Sequence, residues 1–181
     1  MVRLPAGERL PFSAYVARRI RGSLEELPFA GWLRGESTLV PVPRAALLQP
    51  GALWPALNIA KALVAEGLAR EVRPLLTRTI PVPKSAFSQR GKRPLPRVHH
   101  DSLAAERTLH EPIDILLIDD VVTKGATVLG AAWRLREEFP GARIRALAIL
   151  RTLGRVREIE AIVAPCVGRI SLTGEDAVRV P

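Results

Sequence analysis

The chain has 181 residues, 48% of them hydrophobic, and a formal net charge of +9. That length and apolar share fit one globular domain with a proper core and exclude a disordered chain, while the excess positive charge points to polyanionic partners. No apolar run approaches the roughly 18 residues of a membrane-spanning helix, the N-terminus lacks the apolar core of a signal peptide, and the lone Cys166 excludes an internal disulfide or a cysteine-rich zinc site. Together these favour the cytoplasm.

Taken in chain order, the first predicted element is a helix from about Phe12 to Leu24. A short strand follows, Thr38 to Val42, closed by Pro41 and Pro43. Helical spacing then runs from about Ala52 to Ala69, with Leu53, Leu57, Ala60, Val64 and Leu68 on one face and Pro55 in the first turn, where a missing N–H costs little. Val72 to Thr77 reads as a second strand and Ile113 to Ile118 as a third. A helix follows it, with Val128, Leu129, Ala132, Leu135 and Phe139 near helical spacing, and Phe139-Pro140-Gly141 stops it. Arg143 to Leu150 is a fourth strand and Ile159 to Ala164 a fifth. Strands alternating with helices imply right-handed βαβ units and a mainly parallel sheet. Cys166, near Val163, Ala164 and Val167, reads as a small core residue.

The most informative segment is Ile115 to Thr127, ILLIDDVVTKGAT. Its apolar run does not alternate, as expected of a strand buried on both faces. The run ends in Asp119 and Asp120, and a short loop with Thr123, Gly125 and Thr127 leads into the helix. A strand tip, a glycine- and hydroxyl-bearing turn and a helix N-terminus together make an anion site, because free N–H groups and the positive end of the helix dipole converge there. Gly125 lets the backbone come close to a ligand. Ionised carboxylates accept hydrogen bonds only, which suits the vicinal hydroxyls of a sugar. Phosphate at one end and a diol at the other describe a ribose 5-phosphate. Three other readings compete: an ATPase strand ending in a magnesium-binding Asp, a dinucleotide site, and a purely structural strand–turn–helix. The first needs a G-x-x-x-x-G-K-[ST] loop, but the one Gly-Lys pair, Gly91-Lys92, has no glycine five residues before it and Arg93 after it. The second needs G-x-G-x-x-G, which the chain lacks. The third has no need of two carboxylates at a strand tip.

In these residues the chain resembles the type I phosphoribosyltransferases (PRTases), whose signature is an apolar strand, an acidic pair, two aliphatic residues and a T-x-G-x-T loop. LLIDDVVTKGAT fills every signature position, with Lys124 where many members carry a small hydroxyl residue. The resemblance implies an α/β fold of the type I PRTase kind: a mainly parallel twisted sheet flanked by helices, with a small cap, or hood. The whole chain would form one such domain, its core spanning about 37–164 and its N-terminal segment and C-terminal tail forming the cap. It also implies that Thr123, Lys124, Gly125, Ala126 and Thr127 hold the 5-phosphate of phosphoribosyl pyrophosphate (PRPP), that Asp119 and Asp120 hold the ribose hydroxyls, and that Mg2+ is the cofactor. Asp119 and Asp120 are the candidates for any direct metal contact.

Residues Thr79 to Asp101 do not fit the strand–helix alternation. They are rich in proline and carry Lys84, Arg90, Lys92, Arg93 and Arg97, with Arg78 just before them. A loop this long in a compact domain is functional or disordered, and a solvated basic insertion is the bland alternative. By resemblance it is the lid that closes over the reacting bond, with Arg78, Lys84 and Arg90 meeting pyrophosphate beside the acidic pair. His99, His100 and His110 invite a metal hypothesis, but their spacing reads better as loop or partly buried histidines.

A second resemblance narrows the family. Val40–Arg44, VPVPR, followed by Leu57–Leu63, LNIAKAL, is similar to the ComF-like branch, here without its N-terminal zinc ribbon. It implies that Pro43 and Arg44 lie in a turn that binds pyrophosphate, in the wider superfamily often through a non-trans peptide. The implied activity is displacement of pyrophosphate from the anomeric carbon of PRPP by a small-molecule acceptor, such as a nucleobase, that the sequence does not identify. The alternative is a non-catalytic PRPP or nucleotide sensor, or an accessory protein of DNA uptake. Aromatic residues are only 4% and the arginines are scattered, which disfavours nucleic acid as the main partner. A membrane partner is not expected, and a homodimer fits the reading.

Overall fold

The computed structural model describes residues 1–3, 7, 9–83, 93–152 and 164–180. Strands β1 (Val2–Arg3) and β2 (Arg9–Leu10) form a small antiparallel pair before helix α1 (Phe12–Gly22). Strand β3 (Thr38–Pro41), helix α2 (Pro55–Ala65) and strand β4 (Glu71–Val72) form the first βαβ unit. Strand β5 (Leu76–Arg78) pairs antiparallel with β6 (Leu103–Ala105), and helix α3 (Pro96–Asp101) lies between them in the chain. Strand β7 (Asp114–Val122), helix α4 (Ala126–Glu138) and strand β8 (Arg143–Arg151) form the second βαβ unit. A hairpin of β9 (Arg169–Thr173) and β10 (Asp176–Val180) follows.

The main sheet has four parallel strands in the order β4-β3-β7-β8, so the α/β class with a parallel sheet between helices is observed. Two apolar clusters cover its faces. Leu39, Leu116 and Ile118 pack with Ile59, Ala60 and Leu63 of α2 and Ala17 of α1. Val40, Ile115 and Leu117 pack with Val128, Ala131 and Leu135 of α4. The unalternating run at Ile115–Ile118 thus comes from alternate side chains entering two different cores. Among the described residues no helix is long and apolar enough to cross a membrane.

Several elements differ from the sequence expectation. The segment Val72 to Thr77 is not one strand: Pro74, which cannot donate to a ladder, separates β4 in the main sheet from β5 in the two-stranded one. Helix α2 begins at Pro55 and buries Ala56, Ile59, Ala60 and Leu63, so its inner face is rotated from the expected one and Leu53 lies outside it, 68% exposed. Cys166 is exposed rather than part of the core. The acidic pair lies within β7, which runs on to Val122. Helix α1 joins the layer of α2 through the buried Ala17. The strand expected at Ile159 to Ala164 falls, except for Ala164, outside the described residues; Ala164 is not in a strand.

Candidate anion-binding site at the sheet switch point

Strand order decides where a ligand can sit. From β3 the chain crosses outward to β4 through α2, and from β7 it crosses the other way to β8 through α4. The two helices cover opposite faces, so a crevice opens at the carboxyl ends of β3 and β7, the switch point where open α/β sheets take ligands. Three of the sequence-derived groups meet there: the Pro43–Arg44 turn after β3, the acidic pair near the end of β7, and the Thr123–Thr127 loop into α4. The ends of β3 and β7 are tied by Val42 N–H donating to Ile118 O at 2.9 Å.

The loop is shaped for an approach to its backbone. Gly125 is the residue before α4, in the left-handed region at φ +95°, and no side chain caps the helix. The Leu129 N–H donates to Gly125 O at 2.8 Å, leaving the amides of Ala126, Thr127 and Val128 outside the helical ladder and available to an anion. Sequence reasoning missed what lies above the glycine. A Cβ there would come within 2.7 Å of Ile170 on β9, so the C-terminal hairpin packs on the loop as well. Lys124 reaches the same hairpin, pairing its ammonium with Asp176. Ile170 also walls an apolar cavity of about 120 Å3 together with Val122, Val128, Phe29 and Trp32.

Asp119 and Asp120 are both partly exposed. Each carboxylate accepts from the next backbone N–H, Asp120 N–H to Asp119 Oδ1 and Val121 N–H to Asp120 Oδ1, both at 3.0 Å. Desolvation first, and then the neighbouring charge of Asp120, lift the Asp119 carboxyl to about 8. A diol or a cation must therefore compete with a proton for Asp119.

Arg78 packs against the Pro43–Arg44 turn. It is 5% exposed. Its Nε donates to Arg44 O at 3.0 Å, Nη2 to Pro43 O at 3.4 Å and Nη1 to Ser102 Oγ at 2.5 Å. Burial lowers its pKa to about 10. Arg78 fixes the Pro43–Arg44 turn from behind, and Trp54 Nε1–H donating to Val42 O at 2.8 Å fixes it from the side. Among the described residues no peptide bond is cis, so Pro41 and Pro43 are both trans. Pro43 is buried and Arg44 half-buried at the crevice.

Lys84 and Arg90 lie outside the described residues. The end of the same segment is not loop but helix α3, where His99 is 2% exposed. His100 bonds Asp101 at 2.7 Å and Glu137 at 2.9 Å. Among the described residues no group of three His, Cys, Asp or Glu side chains is placed to hold a metal ion.

No family model matches the chain, and no curated protein matches it. Among solved structures it is similar to a glutamic acid mutant of an invariant aspartic acid in HPRTs, at 16% identity and a TM-score of 0.41, over 82% of this chain and 70% of that one.

Proposed function

We propose that the protein is a phosphoribosyltransferase of the type I PRTase fold, ComF-like branch, acting on PRPP with Mg2+ in the cytoplasm. The observation that carries this reading is the convergence at one switch point of a helix N-terminus with free amides, an adjacent carboxylate pair and a fixed proline turn. The free amides of α4 suit the 5-phosphate, the carboxylates suit the ribose diol, and the Pro43–Arg44 turn lies across the crevice for pyrophosphate. Attack by the acceptor breaks the bond between the anomeric carbon and pyrophosphate oxygen, so negative charge grows on the leaving group. Preformed donors around it lower the barrier, while the walls orient the partners and keep water out.

The residues fit Mg2+ in one way. Mg2+ keeps several waters and binds through one or two carboxylates plus substrate phosphates, and two carboxylates are what the crevice offers. Asp119 and Asp120 would hold it. Bound there, it would neutralise charge on the departing pyrophosphate. Lys84 and Arg90 belong to the same reading as lid residues meeting pyrophosphate.

The test is pyrophosphate release from PRPP and Mg2+ across a panel of nucleobases. Release with at least one acceptor, lost in Asp119→Asn/Asp120→Asn, is expected; no release with any acceptor sinks the enzyme. One observation favours a second reading, a non-catalytic PRPP or nucleotide sensor: Arg78 is committed to protein carbonyls rather than presented to a leaving group. Tight PRPP binding by calorimetry without turnover would select it.

A further inference from the structure

Beneath the first turn of α4 lies a buried polar cluster: Arg78 of β5, His99 of α3 and Ser102 just after it, 5%, 2% and 3% exposed. His99 Nε2 lies 3.3 Å from Thr127 Oγ1. We propose that His99 is a positioning residue for the anion site, donating from Nε2 to the Thr127 hydroxyl so that Thr127 turns its own proton toward a bound phosphate. The inference rests on the reading of the α4 N-terminus as a phosphate site.

The ring has little freedom. Helix α3 presses on α4 at Gly130, where a Cβ would meet Pro96 O at 2.5 Å and His99 Cβ at 2.8 Å. It is also neutral, because burial and the nearby Arg78 cation both oppose a second proton, holding the imidazole at about 4. A neutral imidazole carries one N–H, on one nitrogen or the other. His99 Nδ1 is buried and has no partner. An orphaned buried N–H is rarer in folded proteins than an under-satisfied acceptor, so the proton belongs on Nε2, where Thr127 Oγ1 accepts it.

The tautomer decides the sign of what Thr127 offers. A threonine hydroxyl has one proton and two acceptor sites. When Nε2–H donates to it, the hydroxyl proton is free to join the amides of Ala126, Thr127 and Val128 as a donor. In the opposite tautomer Thr127 would donate downward to Nε2 and show an anion only lone pairs. Arg78 acts on the site at second hand: its guanidinium bonds Ser102 Oγ and Pro43 O, and Ser102 Oγ–H donates to His99 O at 2.9 Å. One buried cation thus fixes both the proline turn and the helix that carries His99.

The experiment joins ring-nitrogen chemical shifts of His99 in the full chain with ribose 5-phosphate titrations of wild type, His99→Leu, His99→Gln, Thr127→Val and the His99→Leu/Thr127→Val double variant. The expected ring signature is protonated Nε2 with bare Nδ1, unchanged from pH 7 to about 5. His99→Leu should weaken ribose 5-phosphate about three- to tenfold, the loss of one hydrogen-bond's contribution. His99→Gln, whose amide nitrogen can donate from a similar place, should stay within about twofold of wild type. The double variant should bind no more weakly than Thr127→Val alone, since both substitutions remove the same donor. Binding by a wild-type ring protonated on Nδ1, or additive losses in the double variant, overturns the inference alone. A wild-type chain that ignores ribose 5-phosphate overturns the reading of the site together with it. Should His99→Leu fail to fold, the wild-type ring shifts and His99→Gln still decide.

Discussion

At the scale of single residues, Asp119 and His99 pull the pH dependence of stability in opposite directions. The native Asp119 carboxyl sits at about 8 against an ordinary 3.8, so between those values the native state holds a proton that the unfolded chain has lost. Its contribution is complete below pH 4 and disappears as pH rises through 8. Native His99 sits at about 4 against an ordinary 6.5, so its contribution is present above 6.5 and lost as pH falls toward 4. The two slopes offset each other between about 4 and 6.5, each being at most about 1.4 kcal/mol per pH unit. Above 6.5 the opposing slope of His99 is gone, and urea midpoints of the ligand-free protein should fall toward pH 8. Asp119→Asn should abolish that fall; a variant that still loses stability over the same range would show that another group titrates. Gly125 carries a second prediction. With φ at +95° and Ile170 2.7 Å from a Cβ, Gly125→Ala should cost about 1–3 kcal/mol. Ile170→Ala should recover the part due to crowding but not the backbone strain. Strictly additive losses in urea titrations would mean that Ile170 does not crowd the position. The sequence pointed to this glycine through a ligand's approach; the fold adds a packing reason that only the distant hairpin supplies.

At the scale of elements, the contact of α3 with α4 fixes the end of the stretch 79–101. The stretch reads as a loop because prolines and basic residues break its apolar pattern, yet Pro96 starts α3, at a position where a missing N–H is tolerated. What holds so short a helix is tertiary packing rather than propensity, and Gly130 is its seat. A Cβ at Gly130 meets backbone of α3, Pro96 O and His100 N, and backbone cannot swing aside as a side-chain tip can. Gly130→Ala should therefore destabilise by about 1–3 kcal/mol despite alanine's better helix propensity, and proteolysis before α3 should accelerate. A gain in stability, as propensity alone would give, would show that the helices can separate at no cost. Helix α2 teaches a related lesson. Its existence was legible from period and proline, but its face was not, because Leu53 lies before the helix and Pro55 sets the phase by starting it.

For the whole molecule, the sequence by itself determined the β7–loop–α4 unit, the parallel α/β class and the two carboxylates, since each is encoded in contiguous residues: an apolar run, an acidic pair, a glycine turn and a helical period. The short pairings escaped it. Strands β5 and β6 and the β9–β10 hairpin are brief, and β9 is largely exposed, so little hydrophobic pattern marks them. Tertiary structure alone decided which distant groups meet. It placed His99 under Thr127 across 28 residues, Lys124 against Asp176 across 52, and Arg78 against Arg44 across 34. The physical reason is that a buried polar group must find its partner wherever the packed chain brings one, and that a carboxyl's affinity for its proton follows the surroundings that folding builds around it. Neither is a property of neighbouring letters.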